Sequence, residues 1–486
     1  MNMTLLIFVI VYLLGTLAVG VWAGTRIKTI SDFALAGRNL PLVMIITTTF
    51  ATWFGAETVM GVPAKFVQGG LNAIVEDPLG AGTCLILVGA FFAAKLYRMN
   101  LLTIGDFYRQ RYGKGVEVFC SMAIILSYLG WVAAQITALG LVFNVLSAGE
   151  VSETSGMIIG TIAVLVYVMV GGFLAVAWTD FIQMIVLVVG LTVIAVFASD
   201  LAGGADKVIA LSTQKDLFRF FPEPTFKEIA FFIAAGITMM LGSIPQQDVF
   251  QRVMSAKDAR TAQRGAIIGG AAYILFAFVP MFIVMAAVVV MGDHALDLAS
   301  RDYQKLLPAF IMGHMPLAMQ IVFFGALLSA IKSTSSATLL APSTSFVENI
   351  LKNLYPSMSD RQLLVSMRAS ILIFSVSVLM YAIAMKGTSI YELVSSAYQV
   401  TLVGAFLPLV MGLYWSRATT QGAVLSILLG IGTWVLFFPQ ITPLGDEFPG
   451  QLAGLLMAFV GMVVGSLAPQ WIPKQRAHTH RLTPQD

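Results

Sequence analysis

The chain has 486 residues, of which 58% are hydrophobic and 11% charged, with a formal net charge of +3 and a mean hydropathy of +0.87. Because a soluble domain carries about 25% charged residues, this composition excludes an ordinary soluble protein, and the small net charge gives no indication of nucleic-acid binding. Apolar runs of about 20 residues recur along the chain, each long enough to cross a hydrocarbon core of about 30 Å. They do not alternate as the strands of a membrane barrel would. We therefore expect an all-α polytopic membrane protein.

Hydropathy predicts about thirteen membrane spans, with ends expected to within a few residues. The first apolar stretch is too long for the core of a signal peptide and lacks a small-residue cleavage site, so we expect it to remain as a spanning helix. The predicted spans lie near residues 4–24, 41–67, 78–97, 117–146, 155–172, 176–199, 227–251, 263–291, 317–350, 364–385, 389–414, 420–438 and 449–469.

Basic residues predict the orientation in the membrane. Lys and Arg are concentrated in the loops after spans 1, 3 and 7 and in the tail, whereas the opposite loops carry acidic pairs such as Glu76-Asp77 and Asp446-Glu447. The positive-inside rule then places the N-terminus outside and the C-terminus in the cytoplasm. This topology, with a short tail and no organelle signal, favours a bacterial inner membrane.

Two of the predicted spans contain helix-breaking residues. Span 2 includes "TWFGAETVMGVP" with Gly55, Gly61 and Pro63, and span 7 includes "MLGSIPQQD" with Gly242 and Pro245. Broken helices at membrane depth free backbone groups that a cavity or a neighbour must satisfy. Gly and Pro are common in membrane helices in general, but these two breaks are five spans apart. Their positions favour two inverted five-helix repeats and a transporter whose binding site lies at the breaks.

This repeat predicts the organisation of the whole chain. We expect a first helix and cytoplasmic loop (1–40), a first repeat (41–199), a second repeat (227–414), two C-terminal helices (420–469) and a cytoplasmic tail (470–486).

Four motifs occur together in the order and at the spacing of a known family. They are "GRNLP" before span 2, "GGFLAVAWTDFIQ" at 171–183, "FQRVMSAKDARTAQ" at 250–263 and "GALLSAIKSTSSATLLAPSTSFVENI" at 325–350. Together they resemble the sodium/solute symporter family over spans 1 to 11. The resemblance implies a LeuT-like fold, five plus five inverted helices with flanking helices. Within the family, "FATWFGAETVMG" and "GSIPQQDVFQRV" are most similar to the high-affinity choline transporter-like members.

The resemblance implies a sodium site on span 9. Ala330, Ser333 and Thr334 share one helix face by their i, i+3, i+4 spacing. In similar symporters this triplet supplies one carbonyl and two hydroxyls, and two carbonyls from the broken span 2 complete the site, here those of Ala51 and Phe54. Ser and Thr in membrane helices also commonly bond back to their own helix, but the matching motif favours the ion site.

A second cation site is implied by Asp180 of the "WTD" motif together with hydroxyls of span 9. Ser336 matches, whereas Ala337 replaces a serine, which puts a second sodium in doubt. Lys332 lies about 40° from Ser336 on the helical wheel. Two interpretations of Lys332 stay open: it pairs with Asp180 in place of a second cation, or it faces a watery cavity or extends to the interface.

The solute is expected between the broken spans. Trp53 and Trp131 match positions of the aromatic cage that binds a quaternary ammonium in choline transporters, and Gln246 stands where a third cage tryptophan would be. Glu57 lies inside the first break. It can balance a cationic amine, take part in proton coupling, or cap the second half-helix.

We expect a secondary active symporter that imports a small organic solute, choline-like or otherwise amino-bearing, with Na⁺ as the coupling ion. The partners are then the solute, sodium and the lipid bilayer, with no other cofactor and no enzymatic activity. A proton-coupled or sodium-independent exchanger of the same fold would instead use Asp180, Glu57 or Lys332. A transporter-like sensor is disfavoured because the tail after span 13 is under 20 residues.

Overall fold

Long apolar segments with few internal breakers give this chain an almost entirely helical structure. The computed structural model describes residues 3–27, 29–438 and 441–472. In its first half the α-helices are α1 (Met3–Gly24), α2 (Ile30–Leu35), α3 (Leu42–Phe50), α4 (Val62–Gly69), α5 (Ala81–Leu87), α6 (Ala93–Arg98), α7 (Ile104–Tyr112), α8 (Lys114–Leu146), α9 (Glu153–Leu201) and α10 (Ala205–Gln214).

The second half continues in the same way. Its α-helices are α11 (Phe226–Gly242), α12 (Gln247–Met254), α13 (Ala259–Phe276), α14 (Phe278–Met291), α15 (Asp293–Asp302), α16 (Leu306–His314), α17 (Leu317–Phe346), α18 (Lys352–Leu354), α19 (Asp360–Ala384), α20 (Ile390–Thr401), α21 (Leu407–Tyr414), α22 (Thr420–Leu436), α23 (Leu444–Glu447) and α24 (Gly450–Leu467).

Single π-helical turns join several of these helices into longer spans. Within the described ranges, eight helical segments are long and apolar enough to cross a membrane, and the bent pair α11–α12 makes a ninth. Two shorter apolar helices, Glu153–Met169 and Thr420–Leu436, match two further predicted spans. The polytopic helical class is therefore confirmed, while the count of thirteen stays a prediction. The eight segments are Leu71–Arg98, Lys114–Leu146, Gly171–Leu201, Ala259–Met291, Leu317–Leu354, Asp360–Ala384, Ile390–Tyr414 and Gly450–Leu467.

The first predicted break is confirmed between α3 and α4. Residues 51–55 form turns, and a π-helical turn at Glu57–Gly61 leads into α4. A side chain cannot replace the hydrogen of Gly55, because a Cβ there would lie 2.7 Å from Thr334 Oγ1 and 2.8 Å from Gln135 Oε1. Gln135 Oε1 also accepts the freed backbone N–H of Ala56 at 3.0 Å. Side chains of other helices thus satisfy the broken backbone, as the hydrocarbon core requires.

The second predicted break is confirmed between α11 and α12, which meet at an angle of 47°. The freed carbonyl of Gly242 accepts a hydrogen bond from Thr401 Oγ1 at 2.7 Å. Gly242 also lies against α20, because a Cβ there would be 2.5 Å from the carbonyl oxygen of Tyr398. Both breaks therefore face neighbouring helices of the protein.

Glu76 and Asp77, which the sequence places in an outer loop, are buried in the structure. The side chains are 4% and 2% exposed, in a π-helical turn (Val75–Gly80) that begins the span Leu71–Arg98. Adjacent acids before a proline are typical of a loop, but here Ser395 Oγ donates to Glu76 Oε2 at 2.6 Å and Tyr273 donates to Asp77. The span therefore begins earlier than residue 78, and its first turn brings two carboxyl groups inside the protein.

Gly172 makes the bend that divides the predicted spans 155–172 and 176–199. The structure runs α9 through both and bends it at Gly172, whose φ is 51° and ψ is −157°. This region of φ and ψ is almost restricted to glycine. A Cβ on Gly172 would also lie 2.8 Å from the carbonyl oxygen of Phe33.

We predict that Gly172→Ala lowers stability by about 1–3 kcal/mol, the usual cost of a non-glycine residue in such a conformation. Gly432→Ala is the matched control, because no atom lies within 4 Å of its Cβ position. The thermal midpoint of the purified protein, followed by fluorescence-detected size-exclusion chromatography, measures both. Equal midpoints for the two variants would contradict the prediction.

Candidate ion and solute site

Asp180 is the centre of a buried polar network that joins four helices. Its Oδ2 accepts from Thr48 Oγ1 of α3 at 2.7 Å and from Arg252 Nη1 of α12 at 2.7 Å. Its Oδ1 accepts from the Ser333 hydroxyl of α17. Asp180 and Arg252 are 0% and 1% exposed, so the pair lies fully inside the protein. Such a pair contributes to one defined geometry because each partner would be costly alone.

Four of the five predicted sodium ligands border one small cavity beside Asp180. These four are Ala51, Phe54, Ala330 and Ser333. The cavity volume is about 10 Å³, which is enough for one water-sized atom. One ion of that size can therefore fit. The polar lining residues of the cavity include Asp180, Ser333 and Gln183, and hydroxyl, carboxylate and amide oxygens are ligands that hard cations prefer.

Thr334, the fifth predicted ligand, does not line this cavity. Its Oγ1 is buried without a hydrogen-bond partner in the described chain and faces the backbone of Gly55. An unpaired buried hydroxyl is costly, so the position suits a group that binds an ion.

The other hydroxyls of this segment behave differently from Ser333 and Thr334. Each of four side chains donates to the carbonyl four residues earlier in α17, the common local bond of Ser and Thr in helices. Ser333 and Thr334, the two predicted ligands, make no such bond among the described contacts. The four are Ser329 to Gly325, Ser335 to Ile331, Ser336 to Lys332 and Thr338 to Thr334.

Of the two interpretations left open for Lys332, the pair with Asp180 is not formed in the structure, which corrects that alternative. Arg252 pairs with Asp180 instead, at 2.7 Å. Lys332 Nζ lies 3.6 Å from the ring centre of Tyr167 and has no hydrogen-bond partner in the described chain. Ser336 bonds to its own helix and does not bond to Asp180. The helical wheel describes α17 alone, so it could not show that α12 supplies a cation.

Both predicted cage tryptophans are buried near Tyr398. Trp53 Nε1 donates to Tyr398 Oη at 2.9 Å, and the ring centre of Trp131 lies 5.4 Å from that of Tyr398. Trp131 also stacks on Tyr128 with 5.8 Å between ring centres. The structure thus brings the two tryptophans together around one tyrosine of α20.

Glu57 lies between the aromatic groups and the ion-site residues. It accepts from Trp131 Nε1 at 3.3 Å and from Gln135 Nε2. Asp77 accepts from Tyr273, whose hydroxyl lies 2.8 Å from Thr58 Oγ1 just beyond the break.

Three buried side-chain oxygens next to the residues just described have no donor in the described chain. Gln246 donates to Ser127 at 2.8 Å, but its Oε1 has no partner in the described chain. Glu76 Oε1 and Asp248 Oδ2 are likewise buried and unpartnered there. Tyr128, on which Trp131 stacks, donates to the other oxygen of Asp248 at 2.6 Å. The site therefore offers free acceptors to a ligand.

Several residues of the network were not identified from the sequence. Arg252 was counted among the basic residues of a cytoplasmic loop, and Tyr398, Tyr273 and Gln135 carry no motif of their own. One signal was present: Arg252 follows the buried Asp248 by four residues, on the same face of α12.

A polar cavity of about 360 Å³ lies on the side predicted to be outside. Its lining includes Gly61 after the first break and Tyr391 of α20, and it is bordered by Lys65, Glu153 and Glu392. A Cβ on Gly61 would lie 3.3 Å from the backbone nitrogen of Tyr391. The cavity therefore reaches the first break from the predicted outer face.

Known proteins resemble this chain over almost its whole length. Residues 33–430 match the model of the Sodium:solute symporter family. The high-affinity choline transporter 1 of Caenorhabditis elegans is 26% identical, over 94% of this chain and 85% of its own. The high-affinity proline transporter PutP of Bacillus subtilis (strain 168) is also 26% identical, over 94% of this chain and 98% of its own.

A solved structure of a Na⁺-coupled sialic acid symporter has a similar fold. It superposes with a TM-score of 0.82 at 21% identity, over 96% of this chain and 98% of its own. At this identity the likeness concerns the fold alone, and it confirms the predicted LeuT-like class.

We predict that Asp180→Asn destabilises the protein by about 3–5 kcal/mol, because it removes the carboxylate that is paired with the buried Arg252 guanidinium. The double variant Asp180→Asn/Arg252→Gln should recover most of this loss. The thermal midpoint measures both, with Asp200→Asn as a control at an exposed position of the same helix. A wild-type midpoint for the single variant would contradict the ion pair.

Proposed function

We propose, from the premise that the chain belongs to the sodium:solute symporter family, that it imports a small organic cation with at least one ammonium N–H. The family makes it a sodium-coupled symporter. The observation that carries the choice of solute is the group of buried carboxylates beside the aromatic residues. Glu57, Glu76 and Asp77 are each at most 4% exposed, and none forms an ion pair within 4 Å with a basic side chain that the structure describes.

Charge is the first argument for a cationic solute. Buried carboxylates without a countercharge are costly, so a ligand that brings one positive charge between Glu57 and Asp77 would be strongly favoured. The faces of Trp53, Trp131 and Tyr398 add cation–π attraction to the same ligand. An anionic solute would meet repulsion from the same carboxylates.

Hydrogen bonding distinguishes between classes of organic cation. A quaternary ammonium group has no N–H donor, so choline, with its single hydroxyl, could pair at most one of the free oxygens of Gln246, Glu76 and Asp248. An ammonium with N–H can donate to such acceptors, and each lost bond to a charged group costs about 1.5–3 kcal/mol. Gln246, where choline transporter-like members would have a tryptophan, thus replaces an aromatic face with an acceptor. This favours a protonated amine over choline.

The proposed sodium ligands are the carbonyls of Ala51, Phe54 and Ala330 and the hydroxyls of Ser333 and Thr334. Their support is the contrast on α17, where four neighbouring hydroxyls bond to their own helix and these two do not. Arg252 already neutralises Asp180, so a second sodium there would have to displace a guanidinium. We therefore propose one sodium for each solute.

Gly55 provides the coupling between the two ligands. A Cβ added to Gly55 would lie 2.7 Å from Thr334 Oγ1, a proposed sodium ligand, and 2.9 Å from Glu57 Oε2, a proposed solute ligand. Sodium would hold the break against α17, which positions Glu57 for the ammonium group. Each ligand then raises the affinity for the other by the same factor.

The proposed alternating cycle needs no covalent step. Solute and sodium arrive through the polar cavity on the predicted outer side, bind at the breaks, and leave inward when the repeats move relative to each other. Proton coupling is the competing function, since Glu57 or Asp77 could carry a proton in place of sodium. Uptake in proteoliposomes with a proton gradient and no sodium distinguishes the two.

We predict that Thr334→Ala raises the sodium concentration for half-maximal uptake at least tenfold, which corresponds to about 1.4 kcal/mol of lost binding free energy. Ser335→Ala is the matched control because that hydroxyl donates to the carbonyl of Ile331 at 2.6 Å. Sodium titration of uptake in proteoliposomes measures both variants. An unchanged sodium dependence in Thr334→Ala would remove this residue from the site.

We predict that dimethylethanolamine binds at least tenfold more tightly than choline, which differs from it by a methyl group in place of the ammonium hydrogen. The reason is that protonated dimethylethanolamine adds a charged N–H donor for the unpaired acceptors, whereas the hydroxyl is common to both molecules. Calorimetry in saturating sodium measures the binding of both amines. Glu57→Gln is expected to weaken the binding of both, whereas the exposed control Glu447→Gln should change neither. Tighter binding of choline would overturn the N–H requirement, and binding of neither would overturn the small-amine class.

A further inference from the structure

An apolar crevice lies on the opposite side of α17's polar segment from the solute site. It is formed by α1, α8, the first half of α9 and α17, and its volume is about 190 Å³. Eleven residues with described side chains line it, and Lys332 is the one charged residue among them. The lining consists of Leu14, Leu139, Phe143, Gly160, Ile162, Ala163, Val164, Val166, Tyr167, Leu328 and Lys332.

Lys332 is buried at the inner end of this crevice without an acceptor. It is 4% exposed, its Nζ lies 3.6 Å from the centre of the Tyr167 ring, and it has no hydrogen-bond partner in the described residues. Tyr167 uses its own hydroxyl on Thr179 at 2.7 Å. The ring face offers the ammonium partial compensation, while three N–H donors remain for an acceptor.

The depth of Lys332 prevents its own side chain from reaching water. It lies midway between Leu317 and Phe346, the ends of α17, about 21–22 Å from each at 1.5 Å per residue, which places it near the middle of a hydrocarbon core of about 30 Å. A lysine near a helix end extends to the interface, but the stem of Lys332 is too short for this distance.

The crevice opens towards the surroundings of the protein through apolar side chains. Leu14 is 60% exposed, Ile162 56% and Val166 44%. In a membrane span these exposed side chains contact lipid. An amphiphile dissolved in the bilayer can therefore reach the crevice without passing through water.

We propose that this crevice binds a single-chain carboxylate amphiphile, such as a fatty acid, with its chain in the apolar part and its carboxylate on Lys332 Nζ. The carboxylate supplies acceptors and a negative charge, which Nζ needs, and the chain matches the apolar lining. A phospholipid is disfavoured because its phosphodiester stays charged and a second chain would have to enter, whereas a fatty acid can cross the hydrocarbon core to Lys332 as the neutral carboxylic acid. This site is separate from the proposed solute site and does not depend on it.

The test is photolabelling of the full chain in proteoliposomes with dodecanoate carrying a terminal diazirine. We expect labels on the crevice residues Leu139, Phe143 and Ile162. Unlabelled dodecanoate should compete with the probe, whereas dodecanol and dodecylammonium, which have the same chain with a neutral or cationic head, should not. Competition by dodecanol equal to that by dodecanoate would overturn the role of Lys332.

Three variants make the test specific. Lys332→Met should reduce labelling at least tenfold, and exposed Lys257→Met should leave it unchanged. Ala163→Phe should reduce labelling by filling the crevice while retaining Lys332, so the proposal is tested even if Lys332→Met fails to fold. Labelling of Lys332→Met or Ala163→Phe at the wild-type level would refute the site.

Discussion

The carboxylate of Asp180 is the interaction on which the arrangement of the candidate site depends. It binds Thr48 of α3, Arg252 of α12 and Ser333 of α17, and α3 and α12 are each one half of a broken helix. Inside a membrane protein such bonds are strong when complete and costly when incomplete. The network therefore holds both breaks against α17 in one geometry. That geometry places Ala51 and Phe54, just after α3, beside Ala330 and Ser333 of α17.

A glycine then determines how the ion and the solute communicate. Gly55 leaves just enough space for Thr334 Oγ1 on one side and Glu57 Oε2 on the other. A movement of the break that suits sodium at Thr334 also moves the acid proposed to bind an ammonium group. The break costs helical hydrogen bonds. It also gives the two proposed sites one shared backbone segment, whose arrangement both ligands would influence.

Much of the fold could be predicted because hydropathy and breakers act locally along the chain. Both breaks and the family follow from residues such as Gly55, Pro245 and the motifs around them. The position of Glu76-Asp77 was wrong because adjacent acids before a proline usually mean a loop. Their burial depends on Tyr273 and Ser395, which are about 200 and 300 residues away in sequence.

The candidate site shows the same division between local and distant information. The spacing of Ala330, Ser333 and Thr334 could be read within one helix, and the structure sets Ser333 and Thr334 apart from their neighbours in hydrogen bonding. The partner of Asp180 could not be read in this way, because Arg252 comes from another helix. Lys332 remained ambiguous in the sequence for the same reason, since its surroundings are formed by α1, α8 and α9 together with α17.

The most direct test of the account is the thermodynamic coupling between sodium and an amine across Gly55. The Kd of dimethylethanolamine for the purified protein can be measured without sodium and in saturating sodium, and the Kd of sodium with and without the amine. The account predicts that each ligand lowers the Kd of the other by the same factor, at least fivefold (about 1 kcal/mol). In Thr334→Ala the Kd of each ligand should no longer depend on the other. An amine affinity that is independent of sodium in the wild-type protein would contradict the account.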